Sequence, residues 1–579
     1  MKHIFLKSGL VAFICMSLFG TAFSRDCEWE RSNSNRAKLQ AKAAACKRAQ
    51  SSAELNVNNV RALINAYGNM WYDGSLAKYN IPKNGTSTAM FCAALWIGGT
   101  DVDDQLRIAA LRFGSEGNDY WPGPLTVDGT ASVSAEVCNE YDKHFKITQA
   151  DVSTFKGMFD YEEGSAPTPN DSYDESLIPD VIKNWPAHGN TAMKQSKYLA
   201  PFYDADGDGE YNYTKGDYPY YDFDNVLCPK TLKAALNPGE KYEPAPTMEG
   251  KYGTGGQAIT GGILSDQVLK GDQTIWWVFN DMGNSHTESR GDQIGLEIRA
   301  QAFAFATNDE INNMTFYSYE IINRSSYTLR NTYFSQWVDP DLGYSHDDYV
   351  GCDVRRGLGY CYNGKDVDGP GTGSYSGIPP AVGIDFFQGP YMDPDQTDNP
   401  KIDIAKMRVY YETALAGYQL DPNNPSAGYD TIRLSEEADA YINAWYFKKD
   451  DVIGNCAING VNFGNGIVDD ERFGMRRFVY YNNSLNGTNG EPEKASDYYN
   501  YLRGYWKNNT RMTFGGDGTK GGTDALECDF MFPGDSDPWN WGTNGEDPGL
   551  VGQRKLLLPA SLEITLATVV LCSPLVLSL

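Results

Sequence analysis

Residues 296 to 306 alternate between two kinds of side chain. Leu296, Ile298, Ala300, Ala302, Ala304 and Ala306 fill one set of positions, and Glu297, Arg299, Gln301, Phe303 and Phe305 fill the other. A period of two is the signature of an extended strand, whose successive side chains point to opposite faces. Aromatic and β-branched runs at 275–279, 315–322 and 332–338 accompany it at hairpin-like spacing. Together they predict an antiparallel β-sandwich over residues 266–395.

Around that block the chain divides by composition. Residues 1–24 carry Lys2 and Lys7, an apolar run over 9–19 and the end Ala22-Phe23-Ser24 before Arg25. This is the pattern of a secretory signal peptide, and its apolar run is short of the roughly 20 residues that span a bilayer. Residues 25–66 are polar and rich in Ala, Lys, Gln and Arg, which predicts a short N-terminal helical segment. From 67 to 230, short apolar runs such as 90–97 and 106–111 are punctuated by Gly, Asp and Pro, favouring strands and loops. Residues 231–265 read as a linker or insertion. The region 396–550 is rich in Gly, Asn, Asp and Tyr, with one helix expected over 435–447. The overall expectation is a mainly β protein with long Gly/Asp/Asn-rich loops.

The tail at 551–579 turns abruptly apolar from Leu556, with Glu563 its one charge. Three readings stay open: a membrane anchor, a buried strand pair, or a change of reading frame. Pro559, Glu563 and Pro574 interrupt the stretch and speak against the anchor.

Charge narrows the function. Asp and Glu number 76 against 49 Lys and Arg, a net charge of −27. Loss of residues 1–24 removes two lysines and no acid, so the exported form carries −29. Such a chain lacks the basic footprint that engages nucleic-acid phosphates or an anionic membrane. With 41% hydrophobic residues, including 38 Tyr, 25 Phe and 12 Trp, it has ample material for a core.

Export to an oxidising compartment makes disulfides reasonable among the ten cysteines left after Cys15 departs with the signal. Two pairings are suggested by position: Cys352 with Cys361 across a hairpin, and Cys27 with Cys46 within the N-terminal segment. Zinc is a poor fit, since no two cysteines have the spacing of two intervening residues.

The chemistry-bearing motifs are acidic loops. Asp204, Asp206 and Asp208 precede Gly209, matching the first half of an EF-hand calcium loop, where acids at positions one, three and five converge on a hard cation. Position twelve is Lys215 instead of the usual bidentate acid, and Asp217 lies two residues beyond, so a full EF-hand is excluded. A second set, Asp339, Asp341, Asp347 and Asp348, follows a predicted strand and suits either calcium or a solvated loop. The turn at 465–471 resembles a weaker version of the same theme. Residues 516–521 match Gly-x-Gly-x-x-Gly literally but neither follow a clear strand nor open a helix, so a dinucleotide site fails on context. Motifs of zinc metalloproteases, serine hydrolases and P-loop proteins do not occur. Exposed Tyr and Trp rings offer stacking surfaces for sugars, whereas those at strand positions such as Trp276 or Trp277 fit a core.

An ordered series of local motifs adds a resemblance. Leu95-Trp96-Ile97-Gly98-Gly99, the 117–124 segment Gly-Asn-Asp-Tyr-Trp-Pro-Gly-Pro, Trp185-Pro186-Ala187-His188-Gly189, the Asp204 loop and Gly216-Asp217-Tyr218-Pro219 come first. Asp272 to Asp281, Trp337 to Gly343, Gly359 to Gly364, Pro379 to Gly383 and Phe530 to Pro538 follow in turn. Over roughly residues 58–550 the set resembles large secreted or cell-surface proteins exported through type IX secretion in Gram-negative bacteria. The resemblance implies further extracellular modules and a C-terminal β-sandwich sorting domain, whereas here the apolar tail follows; this motivates the frame-change reading. It carries over no catalytic residue. The expected function is a secreted or surface-exposed structural or adhesive protein, stabilised by Ca2+ and binding extracellular polysaccharide or cell-surface components. The alternative is a secreted polysaccharide-degrading enzyme.

Overall fold

The computed structural model describes residues 46–221 (less 116 and 162–165), 262–263, 269–391, 396 and 398. It also describes 459–548 (less 469–470, 485, 523–524, 538–539, 544–545 and 547) and the backbone of 568–574. Four strands open the described chain: β1 (Ser52–Leu55), β2 (Arg61–Asn65), β3 (Tyr79–Asn80) and β4 (Thr88–Met90), paired antiparallel in that order. The described part of the segment predicted to be helical over 25–66 instead holds the two strands β1 and β2. Leu55, Ala62 and Ile64 are fully buried. Burial on alternate positions of β2 outweighs the modest helix preference of the Ala- and Arg-containing stretch.

Two larger antiparallel sheets follow. β5 (Cys92–Thr100) and β6 (Leu106–Ala110) lie at one side of the first. β7 (Trp121–Pro122) and β8 (Phe145–Thr148) both pair with a central strand of the second. Between these elements and that central strand come a two-residue ribbon, β9 (Phe159–Asp160) with β10 (Thr168–Pro169), and a small sheet of β11 (Phe202–Asp204), β12 (Tyr218–Pro219) and β13 (Gly262–Ile263). The long strands β14 (Gln273–Asn280), β15 (Leu296–Ala304) and β16 (Phe316–Asn323) then meander through the second sheet, ordered β16-β15-β14-β7. β17 (Arg330–Asp339) crosses back to pair with β5. β18 (Asp348–Asp353), β19 (Leu358–Asn363) and β20 (Val382–Asp385) form a three-stranded meander. β21 (Arg477–Tyr481) and β22 (Thr568–Pro574) complete the first sheet in the order β21-β22-β17-β5-β6. Part of the apolar tail thus pairs as a strand between β17 and β21.

The protein is mainly β, and its two large sheets share one core, an antiparallel sandwich. Leu95, Ile97, Trp337 and Val338 join Ile275, Trp277, Phe279, Leu296 and Ile298 in it. Tyr120 stitches the sheets together: its ring packs edge-on against Phe279 at 5.4 Å and its hydroxyl donates to the Ala109 carbonyl at 3.0 Å. β14 is buried on both faces, because Trp276 and Val278 turn to a second core with Phe145, Ile147 and Trp185. The alternation in β15 has the same outcome. Its apolar set lines the main core, while Glu297, Arg299 and Gln301 are buried on the reverse side.

Three short helices stand in the region read as strands and loops: α1 (Ala135–Glu140), α2 (Gln149–Lys156) and α3 (Asp180–Lys183). α2 begins with a reciprocal cap, the Asp151 amide donating to Thr148 Oγ1 and the Thr148 amide to the Asp151 carboxylate. A further helix, α4 (Ala495–Leu502), lies against β5, β6 and β17 and packs Tyr498 edge-on to Trp96. The helix expected over 435–447 falls outside the described residues. Among the described residues no helix is long and apolar enough to cross a membrane.

Cys46 is bonded to Cys138, not to Cys27, with their Cα atoms 5.8 Å apart and a sequence separation of 92. The bond ties the start of the described chain to α1. Cys352 and Cys361 remain buried thiols. Although β18 and β19 are neighbours, the register sets Cys352 opposite Gly359 and Cys361 opposite Val350, so the two are not facing residues. Cys138→Ser should lower stability by about 2–4 kcal/mol, since this bond closes a long loop. A shift of the urea midpoint checks this, and an unchanged midpoint would show the bond to be dispensable.

Candidate metal centre

The Asp204 loop grows out of the β11–β12 hairpin, in which Phe202 pairs with Pro219 and Tyr203 with Tyr218. Asp204 ends β11 fully buried and gathers the loop around its carboxylate, accepting from the amides of Gly207 at 2.8 Å and Gly209 at 2.7 Å. Both glycines have φ of +75°, a left-handed conformation that a β-carbon disfavours. Asp217, just before β12, is also fully buried and accepts from Ala205 N at 2.8 Å and Asn212 N at 2.7 Å. It fastens the two ends of the loop.

Oxygens of Asp204, Asp206 and Asp208 lie within 4.8 Å of one another, and this is the one such group of three among the described residues. Lys215, at the place an EF-hand gives to its bidentate acid, sets its ammonium 2.7 Å from Asp206 and 2.5 Å from Asp208. A cation therefore already sits against these two carboxylates, on a side chain 45% exposed. Electrostatics show an excess of negative charge here. Burial, reinforced by Asp204 and Asp206, pushes Asp217 up to about 7, and burial raises Asp204 as well. At Asp208 burial acts in the same sense, but the Lys215 ammonium and the Glu210 amide outweigh it and hold the carboxyl below its usual range.

The second acidic set surrounds the β17–β18 connection. Asp339 ends β17 completely buried, and neither of its carboxylate oxygens has a hydrogen-bond partner. Burial raises it strongly, with Asp341 and Glu491 adding to the effect. Burial pushes Asp341 up to about 7. Asp348 accepts from the Leu342 amide at 2.9 Å through one oxygen, has no partner on the other, and is pushed up to about 8 by burial and by Asp341, Asp347 and Asp368. Asp347 turns elsewhere, towards the Gly369 amide at 3.1 Å and Lys365 at 3.6 Å. No three of these four bring their oxygens as close together as the Asp204 group. Asp368 belongs to the same neighbourhood although no motif in the sequence marks it; it accepts from Tyr344 N and Tyr375 N. Its only sequence signal is an Asp-Gly step like many others in the chain.

The remaining motifs serve turns. Asp517 accepts from the amide and hydroxyl of Thr519, and the Gly518 carbonyl accepts from the buried Trp506 indole at 2.6 Å, so the glycine-rich stretch packs beneath an aromatic ring without opening a helix. In the 465–471 turn the Gly466 amide donates to Asp398 at 2.7 Å, and residues 469–470 lie outside the described set. No family model, characterised protein or solved structure matches this chain.

Proposed function

We propose that this chain is a secreted or surface-exposed structural or adhesive protein, carried out of the cell as type IX secretion cargo, whose β-loops bind Ca2+. The observation that carries the calcium reading is the convergence of Asp204, Asp206 and Asp208 on a glycine turn. Three carboxylates at that separation repel one another, and a hard divalent ion suits an all-oxygen donor set. Lys215 is the ion's competitor. The disulfide between Cys46 and Cys138 supports an oxidising, extracytoplasmic compartment.

Thermal unfolding in calcium and in chelator tests this reading. An ion held at a hundred times its dissociation constant adds about 2.7 kcal/mol, so the midpoint should rise by a few degrees in calcium. The Lys215→Glu variant, which restores an acid at position twelve, should enlarge the rise, and Asp206→Asn should diminish it. Equal midpoints in calcium and chelator would count against a bound ion. The enzymatic alternative gains ground only if polysaccharide releases reducing sugar and a single carboxylate substitution abolishes the release.

A further inference from the structure

The β18–β19–β20 meander has one face on the main core and one in solvent. Val350, Cys352, Cys361, Val382 and Ile384 point inward. By strand alternation and register, Tyr349, Gly351 and Asp353 of β18 lie beside Tyr362, Tyr360 and Leu358 of β19, with Gly383 and Asp385 of β20 beyond, all on the outer face. Tyr362, Gly383 and Asp385 are exposed.

The outer tyrosines lie down on the sheet. A β-carbon at Gly351 would collide with the Tyr360 ring, and one at Gly364 with the Tyr349 ring, so both rings rest against bare backbone. The Tyr349 and Tyr362 centroids are 5.9 Å apart with planes 28° from parallel, and Tyr362 and Tyr360 are 6.1 Å apart at 39°. Tyr349 and Tyr362 are therefore offset-stacked, and Tyr360 continues the row at a tilt. The three rings form one stepped aromatic strip on the outer face, with Tyr362 its exposed member. Asp353, paired with the exposed Arg356, and Asp385 stand at the end of this strip, within electrostatic reach of each other.

We infer that this face is a polysaccharide-binding platform, and that its ligand is a neutral chain of equatorially substituted hexoses. The inference rests on the surface-adhesive reading above, not on its calcium site. Flat aromatic faces bind the apolar C–H face of an equatorial pyranose, and Asp353 and Asp385 can accept hydrogen bonds from its hydroxyls. A net charge of −27 and two carboxylates at the platform disfavour polyuronates.

Retention of the full-length protein in native gels containing hydroxyethylcellulose, with polygalacturonate as the acidic comparison, tests the platform. Mobility should fall in the neutral polymer and stay unchanged in the acidic one. Tyr362→Ala and Tyr349→Ala should each weaken binding about tenfold, the order expected for truncating an aromatic contact. Tyr362→Phe, which keeps the ring, should bind like the parent. In the parent itself, the neutral polymer should protect Tyr362 from iodination, a readout needing no variant. Absence of retention, equal retention by polygalacturonate, or unprotected Tyr362 would overturn the platform. If retention survives in folded variants lacking both rings, the platform is wrong while the adhesive reading stands; the calcium comparison reports on the ion site separately.

Discussion

Replacing Glu297 by glutamine is expected to lower the stability of the fold by about 3–5 kcal/mol, the usual cost of removing one partner from a buried ion pair. Glu297 is fully buried on the second face of β15. Its carboxylate accepts from Arg299 Nε at 2.9 Å, from Arg324 at 3.0 Å and from the Leu125 amide at 2.9 Å. Arg299 also reaches Glu320 at 3.5 Å on the adjacent β16. Burial alone would raise the Glu297 carboxyl, but the two guanidinium groups outweigh it and hold it below its ordinary value. The group is therefore ionised in the fold at neutral pH. Glutamine keeps the shape and removes the one charge that sits between two buried cations, so the loss is electrostatic, not one of packing. Chemical denaturation of parent and variant measures it; a difference under about 1 kcal/mol, the scale of a surface pair, would show that the network does not hold this layer in place.

Asp529→Asn should cost a comparable amount, about 3–5 kcal/mol, and should also change the response to acid. Asp529 is buried among three guanidinium groups: Arg476 at 3.0 Å, Arg477 at 3.0 Å, and Arg511. Burial raises its carboxyl, yet the three arginines together hold it well below the ordinary carboxylate range. Its backbone takes part as well, the Phe478 amide donating to the Asp529 carbonyl at 3.0 Å and the Asp529 amide to Gly542 at 2.7 Å. The residue thus pins β21 to the segment that follows α4. Because its folded value is depressed, the stability it supplies is fully present above the unfolded value near pH 4 and is lost as pH falls through the folded one. The parent should lose stability on acidification more steeply than the variant below about pH 4. Parallel acid-denaturation curves for the two proteins would contradict this account.

Much of the β architecture was legible in local pattern. The alternation in β15 is a backbone property, and it holds whatever covers the sheet. Asp204, Asp206 and Asp208 were legible as a group for a similar reason, since residues two apart around a glycine turn meet through local geometry alone. The N-terminal strands were not, because residues 52–65 take their conformation from the core that Leu55 and Ile64 enter. α4 is not legible either: most of its residues are buried, so it shows no clean polar face to mark a helical period. The disulfide is not legible in the sequence either: proximity along the chain favours Cys27, whereas α1 carries Cys138 alongside Cys46.

The amino-acid sequence by itself determined a mainly β chain, an acidic balance that disfavours nucleic acid, and an acidic turn with a lysine at its twelfth position. These depend on residues close together along the chain. Only the tertiary structure decided that Lys215 closes on Asp206 and Asp208, that Asp339 is buried without a partner, and that the polar side of β15 is an internal ion network. The first depends on the path of the loop that returns Lys215 to Asp206 and Asp208; the other two depend on which distant segments bury a group, and it is burial that sets the strength of a charge and the need for a partner.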